Sequence, residues 1–108
     1  MLFRSNGSSW VPNVYVTLKS LKYNHLVAIR TSSNDLFTFL NSTLVGYSLV
    51  TGNLNSNSLL NFQIGIGYSL ASSRYFNGKI SNFNIYNRAL TASEVLQNYN
   101  ATRNRYGV

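Results

Sequence analysis

Residues 75–95, YFNGKISNFNIYNRALTASEV, contain the pattern that decides the fold. The run from Phe76 to Tyr86 is rich in aromatic and β-branched residues, which predicts a strand. We expect its apolar side chains Ile80, Phe83 and Ile85 to enter one core, with a bulge correcting the opposite parity of the first. The stretch therefore predicts a strand that ends near Tyr86, shortly before Leu90 and Thr91.

Thr91 and Glu94 predict a helix directly after this strand. The Thr91 hydroxyl can cap the helix, and the Glu94 carboxylate, three residues later, can accept a hydrogen bond from the Thr91 amide, which is a capping box. Leu90 and Val95 have the spacing of a hydrophobic staple. We expect a C-terminal helix over about residues 92–103.

The same helix has a predicted apolar face and a predicted end. Val95, Leu96 and Tyr99 recur at helical spacing and are expected to face the core. Gly107 follows the helical pattern, and glycine is the usual residue just past a helix C-terminus. The helix pattern is therefore complete from its cap to its stop signal.

Further strands are predicted upstream from short apolar runs bounded by turn residues. They are Val14–Lys19, Leu26–Ile29, Leu36–Leu40, Thr43–Val50 and Leu59–Ile66. Ser32 to Asp35 form a turn cluster between two of them, and Asn41-Ser42 form the tight turn of a hairpin. Strands at this spacing are typical of a sandwich or jelly roll.

Three motifs resemble the laminin-G-like, concanavalin A-like jelly rolls. Residues 76–95 resemble the family's C-terminal signature, and YNHLVAIR at residues 23–30 resembles its aromatic-x-His-hydrophobic strand. FTFLNSTLVG at residues 37–46 resembles its next hairpin, with Asn41-Ser42 where the family usually has Asn-Gly. The match covers roughly residues 20–105, with the motifs in the family's order.

The resemblance implies an all-β, concanavalin A-like (laminin-G-like) jelly-roll sandwich, shortened at its N-terminal side, with one short C-terminal α-helix. We expect residues 1–108 to form a single such domain. Full domains of the family are usually longer than this chain, so we expect an exposed strand edge that a partner or a second copy covers.

The charges argue against most enzymes. The chain has nine Lys and Arg but only two acidic residues, giving a net charge of +7. Glycoside hydrolysis usually needs two carboxylates beside the scissile bond, whereas Glu94 is explained as a cap partner and Asp35 lies in a predicted turn. We expect no enzymatic activity.

Metal and cofactor sites are equally unsupported. Calcium needs six to eight oxygen ligands with several carboxylates among them, and zinc would have only His25, because the chain contains no cysteine. We interpret His25 as a hydrogen-bonded structural histidine, and Gly65-x-Gly67 as a strand feature rather than a dinucleotide motif. We expect no metal, no cofactor, and no membrane span because no apolar run is long enough.

The best ligand candidates are aromatic side chains in or beside predicted loops, where binding residues tend to lie. They are Trp10, Tyr47, Tyr68 and Tyr75. Each could contact a carbohydrate or a protein partner, although most aromatics in such a domain are core or strand-pair residues.

The family includes sugar-binding modules, adhesion domains, enzyme accessories and tailed-phage virion proteins, so the resemblance implies no single activity. The ending YNATRNRYG at residues 99–107 is most similar to structural proteins of tailed phages. Our first hypothesis is therefore a non-enzymatic virion structural or decoration protein, located in the virion. It would dock on other virion proteins, in the capsid or tail, through a basic surface and would associate with itself.

Two alternatives stay open. The first is a carbohydrate-binding, lectin-like module for attachment to a polysaccharide. If the source is not a phage, the protein is expected to be secreted or at a cell surface. The second is a nucleic-acid-associated basic protein, which the scattered Lys and Arg favour least.

Overall fold

Three antiparallel strands and one helix are the regular elements of the described residues. A computed structural model of the chain describes residues 16–49, 64–65 and 75–108. Its elements are β1 (Leu26–Arg30), β2 (Asp35–Leu40), β3 (Thr43–Leu49) and α1 (Ala92–Tyr106). The chain divides into two compact units, residues 1–55 with 86–108 and residues 56–85, and all four elements belong to the first unit.

The strands form a sheet of order β1-β2-β3, and the predicted turns join them. Between β1 and β2, the Asn34 amide donates to the carbonyl of Thr31 (3.1 Å) and the Thr31 amide donates to the carbonyl of Asp35 (2.9 Å). Between β2 and β3, Asn41 and Ser42 have φ of 48° and 67°. Positive φ at both central residues is the type I′ geometry, which matches the twist of a hairpin.

A β-bulge interrupts the pairing of β2 with β3. Phe39 lies opposite Leu44, but Thr38 lies opposite Gly46, so Val45 is an extra residue in β3. Beyond the bulge, Tyr47 lies opposite Phe37. The predicted hairpin is thus confirmed, with β2 starting one residue earlier than expected and Val50 outside the described residues.

Each face of the sheet buries apolar side chains. Ile29 and Phe39 pack with Val95 of α1 on one face. Leu36 packs with Val16 on the other face. Because successive residues of a strand point to opposite faces, β1 and β2 carry apolar residues at nearly every position. A sheet that is covered on both sides is the arrangement expected of a sandwich layer.

The predicted strand at Val14–Lys19 is wrong for its described part. Residues 16–19 form no strand. The alternation is nevertheless real, because Val16 is buried, Thr17 is exposed and Leu18 is half-buried. The alternation of apolar and polar residues arises because Val16 and Leu18 pack against the sheet, and this packing does not require backbone hydrogen bonds to a neighbouring strand. Most of the predicted strand Leu59–Ile66 lies outside the described residues.

The predicted strand Phe76–Tyr86 is also wrong. Only Tyr75 makes an isolated bridge, and the Phe76 amide donates to the Gly65 carbonyl at 2.7 Å. The three side chains expected in the core, Ile80, Phe83 and Ile85, are exposed. Strand propensity describes how well a side chain fits a pleated and half-buried surface. Aromatic and β-branched residues therefore did not suffice where three asparagines interrupt the run.

Helix α1 begins as predicted and runs three residues further. Thr91 Oγ1 accepts from the Glu94 amide (3.2 Å), and the Thr91 amide donates to Glu94 Oε2 (2.8 Å), so the capping box is present. Gly107 ends the helix at Tyr106 in the left-handed conformation, with φ of 67°. Val95 and Tyr99 are buried as expected, but Leu96 is exposed, because the helix presents only a narrow stripe to the sheet.

Candidate functional site

The tyrosine on β3 is held as a rigid aromatic surface. The ring of Tyr47 lies 5.1 Å from the ring of Phe37, its cross-strand partner, at an interplanar angle of 38°. The Tyr47 side chain is nevertheless 54% exposed. One side of the ring is therefore supported by protein while much of the remaining surface is open to a ligand.

A carboxylate fixes the other end of this tyrosine. Tyr47 Oη donates to Asp35 Oδ1 at 2.7 Å. Thr31 Oγ1 donates to Asp35 Oδ2 at 3.1 Å and accepts from the Asp35 amide at 3.2 Å. The hydrogen bond to Asp35 raises the pKa of Tyr47 above its ordinary value of 10.0. The phenol therefore remains a hydrogen-bond donor at neutral pH, and the carboxylate is oriented before any ligand arrives.

We call Tyr47, Phe37, Asp35 and Thr31 the Tyr47 platform. Its polar groups lie at the turn that joins β1 to β2, where Arg30 Nη2 also donates to Asn34 Oδ1 at 2.9 Å. An ionised carboxylate has room for about four hydrogen bonds, and Asp35 receives two from these side chains. The platform thus combines an aromatic face with an acceptor that can take further hydroxyl donors.

Tyr47 is the predicted contact residue that belongs to this platform among the described residues of the first unit. Trp10 and Tyr68 lie outside the described residues. Tyr75 belongs to the second unit, where it is 63% exposed. Sequence reasoning placed Asp35 in a turn and gave it no ligand role, because its link to Tyr47 spans two strands.

The bulge explains why the platform was hard to anticipate. A two-residue turn at Asn41-Ser42 without a bulge would place Tyr47 opposite Leu36, on the opposite face of the sheet. The extra residue Val45 moves Tyr47 to the position opposite Phe37. Bulges commonly re-aim a side chain in this way beside functional sites.

Within the described part of the chain, His25 lacks, at its buried Nδ1 atom, the ring hydrogen bond that we predicted for a structural histidine. Its backbone amide donates to Asn41 Oδ1 (2.9 Å), and its ring centroid lies 5.8 Å from that of Tyr99. The buried Nδ1 atom has no hydrogen-bond partner among the described residues. Burial lowers the pKa of His25 below its ordinary value of 6.5, because charging the ring would cost hydration.

The second carboxylate of the chain is committed to the helix start. Glu94 receives two hydrogen bonds from Arg88, at 2.9 and 2.7 Å, besides that from the Thr91 amide. These contacts, with Arg88 the largest cause, lower the pKa of Glu94 to about 2. Such a carboxylate stays ionised at neutral pH and does not serve as a proton donor.

The described residues hold neither a cluster of metal ligands nor a membrane-spanning helix. No group of three or more His, Cys, Asp or Glu side chains is close enough there to hold a metal ion. Within the same residues, α1 is too short and too polar to cross a membrane.

Comparison with protein families decides the identity of the fold. A family model of the laminin G type, described as the Concanavalin A-like lectin/glucanases superfamily, matches residues 3–96. The chain belongs to this superfamily. Three antiparallel strands, a sheet covered on both faces and a C-terminal helix are the described part of a concanavalin A-like domain, which confirms the predicted fold class.

A solved structure supports the superfamily fold. The chain is similar to an S-layer domain-containing protein (residues 221–444) from Clostridium thermocellum ATCC 27405, with a TM-score of 0.60 and 21% sequence identity. The similarity covers 82% of this chain and 44% of that one, so the chain spans under half the length of that structure. No curated protein matches the sequence.

Proposed function

We propose that this chain is a non-catalytic binding module that takes a carbohydrate on the Tyr47 platform. The observation that carries the proposal is the exposed ring of Tyr47, supported by Phe37 and tied to the Asp35 carboxylate at 2.7 Å. Ligand sites usually combine aromatic surface with a few fixed polar groups. Membership of a superfamily of lectins and glucanases adds fold-level support.

The platform offers a sugar two complementary surfaces. A pyranose ring has an apolar face of C–H groups, which suits the open surface of Tyr47. Its equatorial hydroxyls are donors, which suit the unused lone pairs of Asp35. Because both groups are already held by Phe37 and Thr31, binding would order few side chains and lose little conformational entropy.

The same contacts argue for binding without cleavage. Retaining and inverting glycosidases need one carboxyl group with a raised pKa to protonate the leaving oxygen. The chain has only Asp35 and Glu94, and the pKa of Glu94 is lowered to about 2 by Arg88 and Thr91. A pair suited to acid and base roles is therefore not formed by these two groups.

Glycan binding is the test. We would screen the protein on a glycan array and titrate hits by calorimetry with Tyr47→Ala, Tyr47→Phe and Asp35→Asn. Tyr47→Ala should weaken binding by roughly tenfold through loss of the aromatic contact, and Tyr47→Phe by less. Tyr86→Ala, another exposed tyrosine in the same unit, is the matched control. Glycan binding that Tyr47→Ala leaves unchanged would place the sugar elsewhere and refute this site.

The charge of the chain favours a second candidate function. We propose, as the alternative, a structural or decoration protein of a tailed-phage virion that docks on an acidic shell and associates with itself. Its support is the net charge of +7, together with the similarity of residues 99–107 to phage structural proteins. Complementary charge would steer such docking and make it sensitive to salt.

Mass in solution separates the two candidates. Light scattering at moderate salt should give a closed oligomer for a decoration protein, and binding to preformed shells should be indifferent to sugars. A stable monomer that binds a glycan through Tyr47 would favour the lectin-like module instead. It would then act as a secreted or cell-surface protein.

A further inference from the structure

The loop before β1 presents a leucine entirely to solvent. Leu21 is fully exposed, more so than any other large apolar residue described. Its φ is 59°, in the left-handed region that leucine rarely adopts. Two unfavourable features therefore coincide at one position, and backbone strain of this kind often marks a functional segment.

Asn24 holds this loop in its shape. Its Oδ1 accepts from the Lys19 amide at 3.1 Å, and its Nδ2 donates to the carbonyls of Lys19 and Lys22, each at 3.0 Å. Leu21 lies inside the closed segment. The leucine is thus displayed by a loop that is already formed.

Basic side chains surround the leucine. Lys19 and Lys22 flank it in the loop, and both are exposed. The ring of Tyr23 lies 4.8 Å from that of Tyr106, which brings the loop beside the last turn of α1. There the exposed Arg105 guanidinium lies 5.9 Å from the Tyr106 ring centroid. The ion pair Arg88–Glu94 involves none of these bases.

We propose that this surface docks on an anionic lipid membrane. We call it the basic apex, formed by Lys19, Leu21, Lys22, Tyr23, Arg105 and Tyr106. Leu21 would enter the boundary between headgroups and acyl chains, the three bases would meet lipid phosphates, and the two tyrosine rings would lie at headgroup level, where amphipathic rings are favoured.

The order of residues favours a lipid over a protein partner. Lysine is depleted from the cores of protein interfaces, yet here Lys22 directly follows the apolar anchor and Lys19 lies two residues before it. A pocket on a protein that received Leu21 would desolvate both ammonium groups. At a membrane the long lysine side chains reach back to the headgroups while the leucine inserts.

The expected affinity is modest. Each basic group near an anionic leaflet contributes a factor of about five, and an inserted leucine contributes about tenfold or more. Together, the three bases and the leucine should raise the partitioning of the protein onto anionic vesicles roughly a thousandfold, relative to a protein that lacks all four side chains. Reversible association with the membrane is therefore expected. The basic apex is also separate from the Tyr47 platform. The loop of the apex leads into His25, whose amide donates to Asn41 just after the end of β2, whereas Asp35 of the platform lies at the start of β2.

Vesicle co-sedimentation tests the proposal. The full chain would be mixed with phosphatidylcholine vesicles, with and without about one-quarter phosphatidylserine. The variants are Leu21→Asn and the double change Lys19→Gln with Lys22→Gln. Asparagine tolerates positive φ, so the first variant keeps the loop. Leu96→Gln, at an exposed leucine of α1, and Lys79→Gln, at an exposed lysine of the second unit, are matched controls.

We expect binding only to the vesicles with phosphatidylserine, decreasing with added salt. Leu21→Asn should reduce partitioning about tenfold and the double lysine change about 25-fold, whereas both controls should bind like the parent. Failure to bind the anionic vesicles would overturn the proposal. So would binding that Leu21→Asn leaves unchanged and that heparin abolishes, because this would identify a general polyanion site.

Discussion

At the residue scale, the hairpin turn carries a backbone geometry that its sequence only partly suits. Asn41 and Ser42 both have positive φ. Asparagine adopts this conformation readily, and Asn41 also uses its side chain to accept from the His25 amide. Serine adopts this conformation less readily than glycine, which is the family's usual residue at this position.

Replacing Ser42 with glycine should therefore stabilise the protein. Relief of the left-handed strain should outweigh the extra entropy of glycine in the unfolded chain, for a net gain of roughly 0.5–1 kcal/mol. Urea denaturation would measure the change. Asn41→Gly is the control, and it should not stabilise because it removes the hydrogen bond to His25. A loss of stability in Ser42→Gly would contradict this account.

Thr38 gives a second test at the same scale. Its side chain is fully buried at the centre of β2, and its Oγ1 has no hydrogen-bond partner in the part of the chain that the structure describes. Thr38→Val removes the unsatisfied hydroxyl with little change of shape, so we expect stability to rise by about 1 kcal/mol. Thr31→Val should do the opposite, because Thr31 Oγ1 makes two hydrogen bonds with Asp35. Equal destabilisation by both variants in thermal melts would show that Thr38 has a partner.

At the element scale, the helix was predictable and the preceding strand was not. The helix start depends on residues three apart, Thr91 and Glu94, whose interaction is local and can be read from the sequence. A strand forms only when a distant segment pairs with it, and residues 76–86 form none. The pairing of Tyr47 with Phe37 depends on the bulge at Val45, and no glycine or other turn residue at that position predicts the bulge from the sequence. The candidate site was therefore found only in part, at Tyr47.

The helix start should lose its electrostatic support in acid. The pKa of Glu94 is lowered to about 2, from an ordinary value of 4.5, chiefly by Arg88 and the Thr91 amide. A lowered pKa in the folded state means that the stabilisation is complete above pH 4.5 and is lost as the pH falls towards 2. We expect thermal melts of Glu94→Gln to fall below those of the parent at neutral pH and to converge with them near that acidic limit.

The design of that variant isolates the charge. Glutamine can still accept from the Thr91 amide, so the capping box survives while the ion pair with Arg88 is removed. Arg88→Gln should reproduce the same difference if the pair is responsible. A constant difference between Glu94→Gln and the parent at every pH would contradict the assignment.

At the scale of the whole molecule, the scarcity of acidic groups makes its response to pH simple. The chain contains one histidine, one aspartate and one glutamate. Between neutral and strongly acidic pH, few side chains can change the net charge. The effect of each titrating side chain can therefore be distinguished in a plot of stability against pH. The same scarcity leaves the protein strongly basic throughout, which both the virion and the membrane proposals use.

His25 should control the first step of that curve. Its backbone amide donates to Asn41 Oδ1, its ring centroid lies 5.8 Å from that of Tyr99 of α1, and the Arg103 guanidinium lies 5.3 Å from the Tyr99 ring centroid. Burial lowers its pKa in the folded state, so the unfolded chain takes up the proton first. The contribution of His25 to stability should therefore be complete above pH 6.5 and should decrease as the pH falls below that value, before Glu94 begins to titrate.

The variant His25→Phe tests this expectation. It keeps an aromatic ring against Tyr99 without the buried nitrogen, so its denaturation midpoint should not change between pH 7 and 5. If the variant and the parent lose stability equally over that range, the histidine is solvated in the folded state and the packing of α1 over it is looser than described.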